Sequence, residues 1–192
     1  DSTVLLAALA ERRASGGSRP LRAIHVDHGL HPDSADWAAR CARQCAALGI
    51  TLDQVRVDAR PAAGESPEAA AREARYAALA GRLRDREVLV TAHHADDQLE
   101  TVLLQWLRGG GLRAVAGMPA LAPFGRGWHL RPLLEFTRAE LQAWARDAGL
   151  GWQEDPSNAD PRFDRNYLRL EVLPAILARW PAAARTVGRV AS

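Results

Sequence analysis

Between His93 and Glu100 the sequence TAHHADDQLETVLLQWLRGGG places two histidines, two aspartates and a glutamate within eight residues. Groups of this kind can hold a metal ion, read a charged substrate, or simply solvate the start of a helix. The apolar spacing that follows narrows the geometry. On a helix starting near Asp96, the side chains Leu99, Val102, Leu103, Trp106 and Leu107 share one face, which must pack on a sheet. Asp97, Glu100, Thr101, Leu104 and Arg108 fall roughly opposite. Asp97 and Glu100 are then two outward carboxylates one turn apart, near a helix N-terminus whose dipole favours their ionised forms. Such a pair suits an ammonium group. It also suits Mg²⁺, which takes one or two carboxylates together with phosphate oxygens. Asp96 is the expected cap. The H-H-x-D-D spacing is not the H-E-x-x-H of zinc hydrolases, yet a metal-dependent phosphohydrolase stays open as a reading.

Alternating elements must position this stretch. A helix starts at the first residues, DSTVLLAALAERR, with Asp1 or Ser2 as cap. LRAIHVDHG reads as a buried strand stopped by Gly29. SADWAARCARQCAALG is an amphipathic helix, and ITLDQVRVD alternates as a strand does. ESPEAAAREARYAALAGRLRD opens with Pro67 at the first helical position and runs to about Arg84. REVLVTAHH is a third strand. The order predicts βαβ units, and so a doubly wound parallel sheet with helices on both faces. Ligands of such sheets sit at the carboxyl ends of the strands. There the sequence puts His25, Asp27 and His28, then Asp58, then His93, His94, Asp96 and Asp97. From Gly109 to Leu130 the texture is rich in glycine and proline and predicts a mobile loop with an irregular return. TRAELQAWARDAGL is a clean helix with a Thr137–Glu140 capping box and Gly149 as its stop. A polar loop and a last helix follow.

Composition sets the outer limits. The 192 residues fit one domain with a core, and the formal charge of +2 is mild. Its distribution is uneven, with 13 Arg against 15 acids in residues 1–103 and 12 Arg against 8 acids thereafter. The later half is therefore the better candidate for phosphate contact. Every basic residue is Arg, which fits GC-rich coding. Cys41 and Cys45 lie four apart on a helix, a spacing that gives neither C-x-x-C nor a metal cage, and they read as reduced core residues. No apolar run approaches the roughly 18 residues of a membrane span and no signal peptide is evident, so a cytoplasmic location is expected.

Several stretches together carry a resemblance: HVDHGLHPDSADWAARC, ESPEAAAREARYAAL, TAHHADDQLETVLLQWLRGGGLRAVAGM, RPLL, EDPSNADPRFDRNYLR and VLPAI. In this order, across nearly the whole chain, they resemble the tRNA(Ile)-lysidine synthetase family of the PP-loop ATP pyrophosphatase superfamily. One departure stands out. The family's S-G-G-x-D-S loop is represented only by Asp1 and Ser2, and the strand before it is absent, so a piece of a longer protein is expected. Residues 1–178 would be the catalytic domain, and 179–192 the start of a linker to a further tRNA-binding region.

The resemblance implies an ATP-dependent carbon–nitrogen ligase. It would adenylate C2 of the wobble cytidine, C34, of tRNA(Ile) with a CAU anticodon, and the amine of free L-lysine would displace AMP to give lysidine. ATP and Mg²⁺ are the implied cofactors, with Asp1 and Ser2 at the phosphates and Asp1 near the metal. Asp97 and Glu100 would hold the lysine and, with Arg75, act in catalysis; one of the carboxylates or a nearby histidine would take the amine's proton. Ile24, His25, Val26 and His93 would meet the nucleotide, and Arg108, Arg165 and Asn166 the tRNA or the ATP. Arg108 and the glycines 109–111 suggest a lid. Free lysine and tRNA(Ile) are the expected partners, no membrane is, and homodimerisation is left open. Three rivals remain: a tRNA thiolation enzyme of the same superfamily, disfavoured by the spacing of Cys41 and Cys45; a nucleotide-binding module without catalysis; and the phosphohydrolase above.

Overall fold

A computed structural model describes the chain except for residues 18, 30–31, 62–63, 65, 112–114, 153–155 and 192, and the side chain of Ser157. Helix α1 (Ser2–Ala14) is followed by β1 (Arg22–Asp27), α2 (Ser34–Ala47), β2 (Thr51–Arg56) and α3 (Pro67–Arg82). Next come β3 (Val88–Val90), α4 (Ala95–Leu107), β4 (Leu121–Phe124), β5 (Gly127–Leu130) and α5 (Arg138–Asp147). A 3₁₀ turn (Pro156–Ala159) leads to α6 (Asp164–Tyr167), a π-helical turn (Leu168–Val172), α7 (Leu173–Arg179) and α8 (Ala183–Val190). The chain divides into two units. One comprises residues 1–5, 90–122 and 129–192, and the other comprises residues 6–89 and 123–128.

The second of these units holds the βαβ pattern expected from the sequence. β1 and β2 pair in parallel from Arg22 opposite Thr51 to Asp27 opposite Arg56. Every residue of β1 is half-buried, as for a strand covered on both faces, whereas β2 alternates with exposed positions. Cys45 of α2 is 3% exposed and packs with Ala10 and Ile50, so the cysteine is core. Ile24 and Val26 lean on the cluster of Leu79, Leu83 and Leu89. The expected architecture, an α/β fold with a parallel sheet and flanking helices, is what forms.

In the other unit, Ala95 and Leu99 of α4 pack against Leu173 of α7 and Ala184 of α8, with Val187 beside them. The stretch after residue 178, read as a linker start, thus carries a packed helix. A separate cluster joins Val4 to Leu141 and Ala145 of α5. The Thr137–Glu140 capping box of α5 is present, and Gly149 closes that helix at φ +64°.

Four expectations change. The third strand ends at Val90 rather than His94. The supposedly irregular return contains a hairpin, β4 and β5, which joins β3 in a sheet of order β3-β5-β4. Its strands are four residues long and contain proline or glycine, which hides them from any period-2 reading. A side chain at Gly127 would collide with the Glu87 carbonyl, so that glycine marks a close backbone approach. The supposed mobile loop falls partly on residues 112–114, outside the described residues. On α4, Trp106 and Leu107 are 67% and 72% exposed rather than core. Finally, the last helix is composite. Pro174 lacks an N–H and crowds the turn before it, so the chain there widens into a π turn instead of continuing as α.

Candidate active site

The helix start at α4 is capped by His94 rather than Asp96. The Nδ1 of His94 accepts the Asp97 N–H at 3.3 Å, and Asp97 Oδ2 accepts the His94 N–H at 3.0 Å, a reciprocal capping box. Because Nδ1 accepts, the ring proton sits on Nε2. That nitrogen lies 3.4 Å from Asp1 Oδ2 and 3.5 Å from Asp97 Oδ2. Burial pushes the His94 pKa down, against the raising pull of Asp97, Asp96 and Glu100, so the ring is held neutral. Asp96 works elsewhere: its Oδ2 accepts the N–H of Arg138 at 2.8 Å, at the first turn of α5. The aspartate expected to cap its own helix thus caps another.

Glu100 departs furthest from expectation. Expected to face outward with Asp97, it is 1% exposed. The N-terminal turns of α4 are buried nearly all round, at Ala95, Gln98, Leu99, Glu100, Thr101 and Val102, because α7 and α8 cover one side and arginines close over the other. Arg169, on the π turn, grips Glu100 with its fork: Nε to Oε1 at 2.8 Å and Nη2 to Oε2 at 2.9 Å. Its Nη2 also lies 3.6 Å from Asp97 Oδ1. Arg165 adds Nη1 at 3.7 Å from Glu100 Oε2, and its Nη2 donates to Thr101 Oγ1 at 3.3 Å. Burial pushes the Glu100 carboxyl up, and Arg169 holds that rise in check. Asp97, at 15% side-chain exposure, is the more accessible carboxylate.

The remaining expected residues fall in different settings. Asp1 and Ser2 line a cavity of ≈ 250 Å³ together with Arg138, Gln142, Trp152 and Asn158. Asp1 keeps 39% of its side chain exposed. Arg108 is exposed and paired with Asp164 at 2.6 Å. Asn166 is buried and donates to the Asp160 carbonyl at 2.9 Å. His93 is bonded through Nδ1 to Thr91 Oγ1 at 2.8 Å. In the other unit His25 and His28 stand at the end of β1, and burial lowers both their pKa values, with the charge of Arg75 adding to it. Arg75 itself is exposed on α3. Asp27 Oδ1 accepts the Gly29 N–H at 2.8 Å and so shapes the turn after β1.

Sequence reasoning missed Arg169, His94 as a cap and the pair Thr91–His129. A signal for Arg169 existed. DRNYLR puts Arg165 and Arg169 four apart, and two arginines so spaced before an apolar run call for an anionic partner.

Among the described residues no group of three or more His, Cys, Asp or Glu side chains is arranged to hold a metal ion. The donors present suit a hard cation that brings its own phosphate oxygens: Asp1 and Asp97 both approach His94 Nε2, and Asp1 is partly open to water.

The parallel βαβ core, with charged groups at strand ends and at a capped helix start, defines an α/β protein of the doubly wound type. The family model of the PP-loop domain matches residues 1–176. The chain belongs to that PP-loop domain family. It is 53% identical to the tRNA(Ile)-lysidine synthase of Alkalilimnicola ehrlichii over 191 residues, covering 100% of this chain and 43% of that protein. It is 50% identical to the tRNA(Ile)-lysidine synthase of Pseudomonas aeruginosa over 192 residues, with coverage of 100% and 43%. The chain therefore spans under half the length of these relatives. Among solved structures, the U34-tRNA thiolase NcsA of Methanococcus maripaludis, with its [4Fe-4S] cluster, has the same fold at a TM-score of 0.78 and 17% identity, over 98% of this chain and 66% of that one. No helix among the described residues is long and apolar enough to cross a membrane.

Proposed function

We propose that this chain is the PP-loop part of an enzyme that joins free L-lysine to C2 of the wobble cytidine of tRNA(Ile), using ATP and releasing AMP and pyrophosphate. The observation that carries the reading is identity of about half the residues along the whole chain to tRNA(Ile)-lysidine synthases. The helix start at α4 supports it. A lysine ammonium needs a carboxylate it can reach, and Asp97, with 15% of its side chain exposed, is the more accessible of the pair. Glu100, locked in the Arg169 fork, sets the negative charge behind it rather than meeting the amine alone. Arg75, beside His25 and His28, would steady the adenylate, with the backbone of Ile24 to Val26 near the base. Arg108, Arg165 and Asn166 would face tRNA or ATP. Bound Mg²⁺ would supply charge neutralisation at the phosphates, with Asp1 as its protein ligand. The partners would be tRNA(Ile) and lysine, in the cytoplasm.

The thiolation reading draws no support from Cys41 and Cys45, since Cys45 is core and burial raises the pKa values of both thiols. The test is lysine incorporation into CAU-anticodon tRNA(Ile) by the full-length protein. Asp97→Asn should raise the KM for lysine about tenfold or more, the worth of a charged hydrogen bond, while ATP binding holds. Absence of incorporation by the wild-type protein refutes the proposal. Equal loss of ATP and lysine binding in Asp97→Asn assigns the carboxylate to the metal instead.

A further inference from the structure

Behind His93 runs a hydrogen-bonded chain. Arg131 Nη2 lies 3.0 Å from His129 Nδ1, His129 Nε2 lies 2.8 Å from Thr91 Oγ1, and Thr91 Oγ1 lies 2.8 Å from His93 Nδ1. His129 is 2% exposed, and Arg131 is anchored by a bond from Nη1 to the Pro119 carbonyl at 2.7 Å. A guanidinium has donors only. Nδ1 of His129 must therefore accept, which leaves its proton on Nε2. That proton goes to Thr91, and the hydroxyl, with one proton of its own, donates it to His93 Nδ1. Arg131 thus fixes the proton of His129, and Thr91 carries the polarity on because His93 Nδ1 is the acceptor that its own hydroxyl proton meets.

From this we infer that Arg131, His129 and Thr91 are positioning residues that fix His93 as a neutral ring protonated at Nε2, so that His93 offers its substrate a hydrogen-bond donor and is not the base of the reaction. A donor of this kind suits an oxygen that carries or develops negative charge, such as a phosphoryl oxygen of the nucleotide or adenylate. The proton lost by the attacking amine must then go to another group. The consequence for catalysis rests on the ligase reading, whereas the protonation pattern does not depend on it.

The first test therefore needs no substrate. In the full-length protein labelled with ¹⁵N in its histidine rings, His93 and His129 should both show an unprotonated Nδ1 and a protonated Nε2. A protonated Nδ1 on His93 overturns the inference, whatever the enzyme does. Thr91→Val, of equal size but without a hydroxyl, should leave His93 averaging between tautomers, and Thr91→Ser should restore the single form; a ring unchanged in Thr91→Val also overturns it. The second test is activity. In His93→Gln the amide N–H stands where Nε2–H stood but cannot act as a base. That variant should keep kcat within about tenfold of wild type, while His93→Ala should lose on the order of 100-fold, the usual worth of one such donor. Equal losses in the two variants would make His93 the base and refute the assignment.

Discussion

At the start of α4, Asp97, Arg165 and Arg169 meet around Glu100, a carboxylate that is 1% exposed. In the unit that holds β1 and β2 the paired carboxylates stay in contact with water, Glu87 at 31%, Asp53 at 41% and Asp58 at 62% side-chain exposure. There Arg22 bridges Glu87 and Asp53, and Asp58 holds Arg60 in open water. The difference lies in solvent. A charge taken out of water depends wholly on its partner, while an exposed charge trades one set of hydrogen bonds for another. The buried cluster should therefore fail when one member is removed, and the exposed pairs should hardly respond.

The largest effect expected is that of Arg169→Ala. It leaves Glu100 buried with only the more distant Arg165, and should cost about 3–5 kcal/mol of stability. Glu100→Gln, which keeps an acceptor for the fork, should cost less. Urea unfolding of both variants decides the matter. If Arg169→Ala shifts the midpoint no more than a surface substitution does, the cluster is solvated in solution and the contrast between the two regions collapses.

Arg22→Ala comes next. Arg22 donates to both oxygens of Glu87 at 3.0 and 2.6 Å, to Asp53 at 3.1 Å and to the Arg82 carbonyl at 2.7 Å, and the two acids keep 31% and 41% of their side-chain surface exposed. Bidentate pairing of this kind, discounted for that contact with water, is worth about 1–2 kcal/mol. A loss as large as that of Arg169→Ala would show that multiplicity of bonds, not burial, ranks the two sites.

How much of this was readable before folding follows from the same distinction. Local rules found the Thr137–Glu140 box, Pro67 at the start of α3 and the βαβ order, because each depends on neighbours along the chain. The helical wheel of α4 failed at Glu100 and Trp106. It assumes one partner surface along the whole helix, whereas the N-terminal turns of α4 are covered on two sides and Trp106 and Leu107 near its C-terminal end are exposed. Arg169 was invisible as a partner of Glu100 because 69 residues separate them and a π turn sets its direction. Asp96 capping α5 across 42 residues escaped for the same reason.

Acid should separate the two regions by pH. His94 is buried neutral, with its pKa below the ordinary 6.5. The unfolded chain therefore binds its proton first, and this contribution to stability is complete above pH 6.5 and declines as pH falls below it. Glu87 is held down to about 2 from 4.5, chiefly by the hydrogen bonds of Arg22. Its contribution is complete above pH 4.5 and is lost as pH falls toward 2. Unfolding free energy measured against pH for wild type minus His94→Gln should fall off in the upper window, and wild type minus Glu87→Gln in the lower. Coincident windows would remove the distinction between a buried ring and a half-exposed carboxylate.

The smallest effect is the most diagnostic. Arg60 embraces Asp58, with 2.9 Å from Nε to Oδ1 and 2.5 Å from Nη2 to Oδ2, and the carboxyl is held down to about 2. The same D-x-R arrangement recurs in the other unit, where Arg162 Nη2 reaches Asp160 Oδ2 at 2.7 Å. Both arginines are more than four-fifths exposed. Two residues apart, each pair can form in the unfolded chain as readily as in the folded one, so its pKa shift is common to both states and cancels from stability. Arg60→Ala and Arg162→Ala should leave the urea midpoint unchanged. A clear shift in either would mean that the fold, not the local sequence, makes the pair, and exposed charges would then rank with Arg22.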